Sequence, residues 1–234
     1  MAQPFSSRDE LKGDPLQEWV HLSLDWIQEH RQTFFSIVGT IAVIGLIAAF
    51  IITNLQKVKK EAWERYSAGQ NWLFAGNPQN AVNMFNEVIT NYPQTPAAVY
   101  ALIGKADLLY RQRNFKEAAQ AYEEALSKNP NKVILPFIYS GLGVAQEDAG
   151  NNDAAILNYK KFISEFPDHF MVPKIYEDLG RAYELALNQD AAKQTYEKII
   201  TMYPSTPWSE WARARYQALA PQPFQSAPNS ENSH

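Results

Sequence analysis

The sequence predicts an all-α protein: a single N-terminal transmembrane helix, then an α-solenoid of four 37-residue helix pairs plus a capping helix. Two observations carry this. The first is the uncharged run FFSIVGTIAVIGLIAAFIITNL at residues 34–55. Its 22 residues, at about 1.5 Å each, make a helix of roughly 33 Å, the thickness of a bilayer's hydrocarbon core. The second is a period of 37 residues held by five series. These are Ala81, Ala118, Ala155, Ala192; Phe85, Tyr122, Tyr159, Tyr196; Pro93, Pro130, Pro167, Pro204; Gly69, Ala106, Gly143, Gly180; and Asn77, Asn114, Asn151, Asn188. A fixed period of this size marks stacked helical units.

Composition sets the outer bounds. The chain has 234 residues, a net charge of -4 and no cysteine. It is long enough for one span and one domain of about 150 residues. Near-balanced charge removes the case for a general nucleic-acid binder. The lack of cysteine excludes a lipid-bearing cysteine anchor, disulfides, thiol catalysis and Cys-ligated metal, and leaves the redox compartment open.

In chain order, residues 1–15 are polar, with Pro4, Gly13 and Pro15, and read as a flexible tail. Residues 16–33 carry Leu16, Trp19, Val20, Leu22, Trp26 and Ile27 at helical spacing. Two readings fit them: an amphipathic interfacial helix whose tryptophans suit the headgroup region, or the first turns of one long helix. Residues 34–55 are the span. Its Ser36, Thr40 and Thr53 are tolerable in lipid because hydroxyls can bond back to a carbonyl one turn earlier. No small-residue cleavage site follows, so the anchor is expected to stay. Lys57, Lys59, Lys60 and Arg65 follow the span and Arg8, Lys12 and Arg31 precede it. That balance leans toward a cytoplasmic C-terminal domain; against it, long domains translocate whatever their flanking charge.

Residues 56–220 are expected to form the repeats and their cap. In each unit, a tiny residue on helix A (Gly69, Ala106, Gly143, Gly180) admits helix B. Helix B carries Ala and, four residues on, an aromatic, so both lie on one face. The Asn between the helices either takes a left-handed backbone or accepts from a free N–H at the start of helix B. One Pro ends helix B, and another (Pro96, Pro136, Pro173, Pro207) opens the next helix, where its missing N–H costs nothing.

This pattern resembles the tetratricopeptide repeat over Ala62 to Pro204, in its small residue, its Ala and aromatic, and its closing Pro. The usual unit is about 34 residues; here it is longer. With Tyr92-Pro93, Phe166-Pro167 and Tyr203-Pro204 ending units, one N-terminal anchor and no lipid-bearing cysteine, the layout is similar to the YfgM-like family. That resemblance implies a bacterial inner-membrane protein with periplasmic repeats, associated with the Sec translocon and with periplasmic chaperones. After Pro204, Trp208, Trp211, Ala212, Tyr216 and Leu219 give the cap its apolar face, and Glu210, Arg213, Arg215 and Gln217 its polar one. Residues 221–234 are Pro-, Ser- and Asn-rich and read as a disordered tail.

No catalytic constellation emerges. His21, His30, His169 and His234 form no pair with metal-ligand spacing. Gly141-Leu142-Gly143 falls inside a helix A and lacks the strand and later Gly of a phosphate loop. The chain is thus read as a non-enzyme without cofactor, metal, nucleic acid or small-molecule substrate. What remains is a protein-binding surface on the concave face lined by the A helices. In unit one it comprises Trp63, Tyr66, Gln70 and Leu73; in unit two, Tyr100, Ile103, Asp107 and Tyr110; in unit three, Phe137, Ser140, Val144 and Glu147; in unit four, Lys174, Glu177, Arg181 and Glu184. Two functions follow: a membrane-tethered scaffold or chaperone-like adaptor in protein export or envelope assembly, or an assembly subunit that binds a larger complex through its membrane and juxtamembrane helices.

Overall fold

The structure, a computed structural model, describes residues 15–219. The two terminal tails expected from sequence lie outside the described residues, apart from Pro15. Ten helices and no strand occur among the described residues: α1 Pro15–Glu29, α2 Arg31–Phe74, α3 Pro78–Asn91, α4 Pro96–Arg111, α5 Phe115–Ser127, α6 Leu135–Asp148, α7 Asn152–Glu165, α8 Val172–Leu185, α9 Gln189–Met202 and α10 Pro207–Ala218. The chain divides into two compact units, Met1–Lys57 and Val58–His234.

The first unit holds α1 and the apolar part of α2, with His30 alone between the two helices. Trp19, Leu22 and Trp26 stand exposed on α1, and the Trp26 ring stacks on His30 at 5.2 Å. Along α2, side chains from Phe35 to Leu55 are exposed all round. Thr40 Oγ1 donates to the Ser36 carbonyl at 2.8 Å and Thr53 Oγ1 to that of Phe50 at 2.9 Å, so these hydroxyls need no other partner. By length and composition α2 can cross a membrane.

The second unit stacks helix pairs. The C-terminal part of α2 serves as helix A to α3, followed by α4/α5, α6/α7 and α8/α9; α10 closes the stack against α9 and α8. Ala81, Ala118, Ala155 and Ala192 are fully buried, and the aromatic four residues on is buried in every pair. Burying a ring of this size adds substantially to the apolar stabilisation of each pair. Small residues on A helices make the sockets. A Cβ on Gly69 would meet the Phe85 ring; on Gly143, the Tyr159 ring; on Gly180, the Tyr196 ring. The next helix A supplies a second wall: a Cβ on Gly104 would meet Phe85 from the other side, and one on Gly141 would meet Tyr122. Phe85 is thus gripped between two closely approaching backbones.

The turns differ from one expectation. The left-handed residue precedes the Asn: Gly76, Arg113, Gly150 and Leu187 have φ of 73°, 65°, 81° and 58°. The Asn residues keep negative φ. Helix A ends one residue earlier than the Asn register implies, so the left-handed cap position falls before it. Asn77 and Asn188 accept from the N–H three residues on, at 3.1 Å each. Asn114 and Asn151 make no such bond. Prolines open α4, α6, α8 and α10 as expected, and Pro78 opens α3 as well.

Candidate protein-binding surface

Among the described residues, α4 touches α6, α6 touches α8 and α8 touches α10, while no helix B touches another helix B. The A helices therefore crowd together on the inner side of the curve. The side chains singled out in the sequence lie on this series of helices.

At the α2 end they are aromatic. Trp63, Tyr66 and Tyr100 pack on one another with centroids 5.2–6.0 Å apart, mostly edge-on. Tyr66 also stacks on Phe85 at 5.7 Å and accepts a hydrogen bond from Gln70 Nε2 at 2.8 Å. Burial pushes the Tyr66 hydroxyl up. These rings fasten α2 to α4 while leaving Trp63 partly exposed. Leu73 and Val144 pack against the cores of their units.

Next along the face is a cavity of about 450 Å³. Ile103, Ile134, Phe137 and Met171 form its apolar walls; Asp107, Tyr122, Ser140 and Gly141 complete it. Phe137 presents its ring edge-on to His169 at 6.0 Å. Asp107 accepts a hydrogen bond on Oδ1 from the Tyr122 hydroxyl. Burial raises its carboxyl above the usual range, partly offset by that bond.

The far half is a ladder of bonded charges. In unit three the Tyr159 hydroxyl donates to Glu147 Oε2 at 3.1 Å. Arg181, from the next helix A, donates to both oxygens of Glu147, at 2.5 and 3.3 Å, and to Asp178 at 2.7 Å. Lys174 adds bonds to Asp178 at 2.6 Å and Glu177 at 3.4 Å. In unit four the Tyr196 hydroxyl donates to Glu184, and Arg215 of α10 binds the same carboxylate, its Nε at 3.1 Å. Glu147 and Asp178 are only 7% and 2% exposed, so the cations offset a large desolvation cost. Burial first, then the bonded carboxylates, raises the Tyr122, Tyr159 and Tyr196 hydroxyls well above their ordinary range. Burial, and then the bond its hydroxyl donates to Asp148 at 2.5 Å, pushes Tyr110 up to about 12.

The ladder has a rule. Leu73, Tyr110, Glu147 and Glu184 occupy one register, opposite Phe85, Tyr122, Tyr159 and Tyr196. A ring without a hydroxyl faces a leucine. Where the ring is a tyrosine, a carboxylate accepts its hydroxyl's hydrogen bond: Asp107 in unit two and the register residue in units three and four. Glu147, Lys174, Glu177 and Arg181 thus serve the stack internally. Sequence reading missed Asp148, Asp178 and the hydroxyl roles of the three tyrosines, and placed Arg215 only on the polar face of the cap. Arg215 had a usable signal: it follows Arg181 by the same 34-residue step that separates Pro173 from Pro207.

Comparisons agree with this architecture. Residues 66–133 match the tetratricopeptide repeat family, as do residues 140–169 and 178–206, together more than half of the chain. No curated protein matches it in sequence. A tetratricopeptide repeat protein from Parabacteroides merdae is similar in structure, with a TM-score of 0.59 at 19% identity over 68% of this chain; the match spans 60% of that protein's length. MamA from Desulfovibrio magneticus RS-1 is similar at TM-score 0.55 and 16% identity, over 68% of this chain and 89% of that one. The nearly identical repeats of a putative kinesin light chain from Podosopora anserina give 0.56 at 13% identity, over 69% and 86%. At such identities the likeness is one of fold. Taken with the sockets, the paired helices and the matched segments, it makes this chain a member of the tetratricopeptide repeat family.

Proposed function

We propose that this protein is a membrane-tethered protein-binding scaffold, or chaperone-like adaptor, that holds segments of other proteins on the concave face of its repeats. The observation that carries the reading is the cavity walled by Ile103, Ile134, Phe137 and Met171, open on the face where the A helices converge. Phe137 is 44% exposed there, a large ring left facing solvent beside a recess. The apolar run of α2 supports tethering to a lipid bilayer. Confinement to a surface raises local concentration, so a weak groove suffices. The layout resemblance favours the bacterial inner membrane, with the repeats on the periplasmic side and a role in export or envelope assembly.

A photo-crosslinking residue at Phe137 tests the groove in cells. Defined adducts there, with none from the same residue at exposed Leu157 on α7, support it. Equal adducts at both positions, or none at Phe137, refute it. Protease digestion of the repeats in spheroplasts supports the periplasmic side; protection refutes it.

A second reading rests on α1. Trp19, Leu22, Trp26, Ile27 and Phe34 line a shallow apolar recess of about 430 Å³, a surface suited to another membrane subunit or to the bilayer interface. On that reading, replacing residues 16–55 with an unrelated anchor releases the protein from its complex. Continued co-purification sinks it.

A further inference from the structure

Resting on the groove reading, we propose that the segment bound beside α4 and α6 carries a Lys or Arg next to an apolar residue, its cation meeting Asp107. The cavity is apolar on four of its walls, and an apolar side chain fits it. The charge balance around it is uneven. The four carboxylates of the ladder already hold a cation: Glu147 and Asp178 hold Arg181, Asp178 and Glu177 hold Lys174, and Glu184 holds Arg215. Among the described residues, Asp107 and Asp148 form no ion pair; each accepts only a tyrosine hydroxyl. Arg111, one turn along α4, acts on Asp107 through space without bonding it.

An occupant covering this cavity takes Asp107 further from water. A neutral segment leaves that carboxylate desolvated without compensation, and an acidic one adds repulsion. A segment with a guanidinium or ammonium at that point supplies the missing counter-charge to Oδ2. The groove therefore selects by charge at its α4 end and by apolar fit at α6.

The probes are two fluorescent 15-residue peptides sharing one apolar sequence, one with three Arg and the other with three Glu. Binding is read by anisotropy on the full chain in a nonionic detergent. The Arg peptide binds about tenfold more tightly or better, the equivalent of one well-placed charge pair. Asp107→Asn keeps an acceptor for Tyr122 and removes about tenfold of that preference. Asp153→Asn makes the same charge change at the start of α7 and leaves it intact. Equal binding of the two peptides, an unchanged Asp107→Asn variant, or an equal loss in Asp153→Asn each overturns the proposal. If neither peptide binds while the Phe137 crosslinker still reports occupancy, the charge preference falls and the groove stands. If those adducts are absent too, the groove reading falls with it.

Discussion

Gly104→Ala adds a single methyl where the stack has no room for one. Its Cβ would stand 2.8 Å from Cε2 and 3.0 Å from Cζ of Phe85, against roughly 3.5–4.0 Å for carbon–carbon contact. The ring cannot retreat, because a Cβ on Gly69 would stand 2.6 Å from Cε1 on the opposite side, and Phe85 is fully buried. Two effects oppose. Alanine in place of a helical glycine stabilises by about 1 kcal/mol. Overpacking a filled core costs about 1–3 kcal/mol, and a ring held on both sides belongs toward the upper end. The net loss is about 1 kcal/mol, a fall in Tm of about 2–4 °C in a domain of this size, read by circular dichroism on the full chain. Gly69→Ala behaves alike. Phe85→Leu vacates space for the methyl, so its combination with Gly104→Ala costs less than the sum of the two by about 1 kcal/mol. A higher Tm for Gly104→Ala, or strict additivity with Phe85→Leu, would refute the two-sided socket.

Three further outcomes are expected. Arg181→Leu leaves Glu147 and Asp178 without their shared guanidinium and destabilises by about 2–4 kcal/mol; amide exchange in α6 and α8 reports it, Asp178→Asn restores part, and unchanged exchange would mean the carboxylates are solvated. Leu187→Gly relieves a left-handed leucine (φ 58°, 87% exposed) and stabilises by about 0.5–1 kcal/mol, whereas Gly150→Ala, at φ 81°, loses a comparable amount; thermal unfolding decides, and the opposite signs would disprove the strain argument. Tyr110 is held up to about 12, and Tyr122, Tyr159 and Tyr196 are held up too. Their folded values exceed the free-tyrosine value, so their contribution to stability is complete below about pH 10 and is lost as pH climbs through the folded values. Tyrosinate absorbance followed with pH should therefore show a group that titrates late, together with unfolding; a single step near pH 10 for every tyrosine would contradict it.

Much of the stack was legible because its packing repeats. A period of 37 places Ala155 and Tyr159 as surely as Ala192 and Tyr196, and all four are buried. The second socket wall was harder to see. Gly104 and Gly141 keep the period, but Asp178 stands where the third glycine would be, and only the pairing with Arg181 and Lys174 explains how a carboxylate is tolerated there. The ion ladder was hidden for a related reason. Glu147 and Arg181 look like surface charges in a helical pattern, and they meet across 34 residues only once α6 and α8 are packed. Of the two roles open to the turn Asn, capping holds at Asn77 and Asn188, while the left-handed position falls one residue earlier because it is set by where helix A stops.

The closing helix has a consequence for how this array could change length. Arg215 grips Glu184 much as Arg181 grips Glu147, and Ala212 stands in the socket register of Gly104 and Gly141. To α9, then, α10 looks like the opening half of yet another module. A tandem duplication of residues 170–206 would present the lid with the same acidic latch it already grasps. Elongation by whole modules needs no new seam, and the molecule can acquire reach without reinventing its terminus.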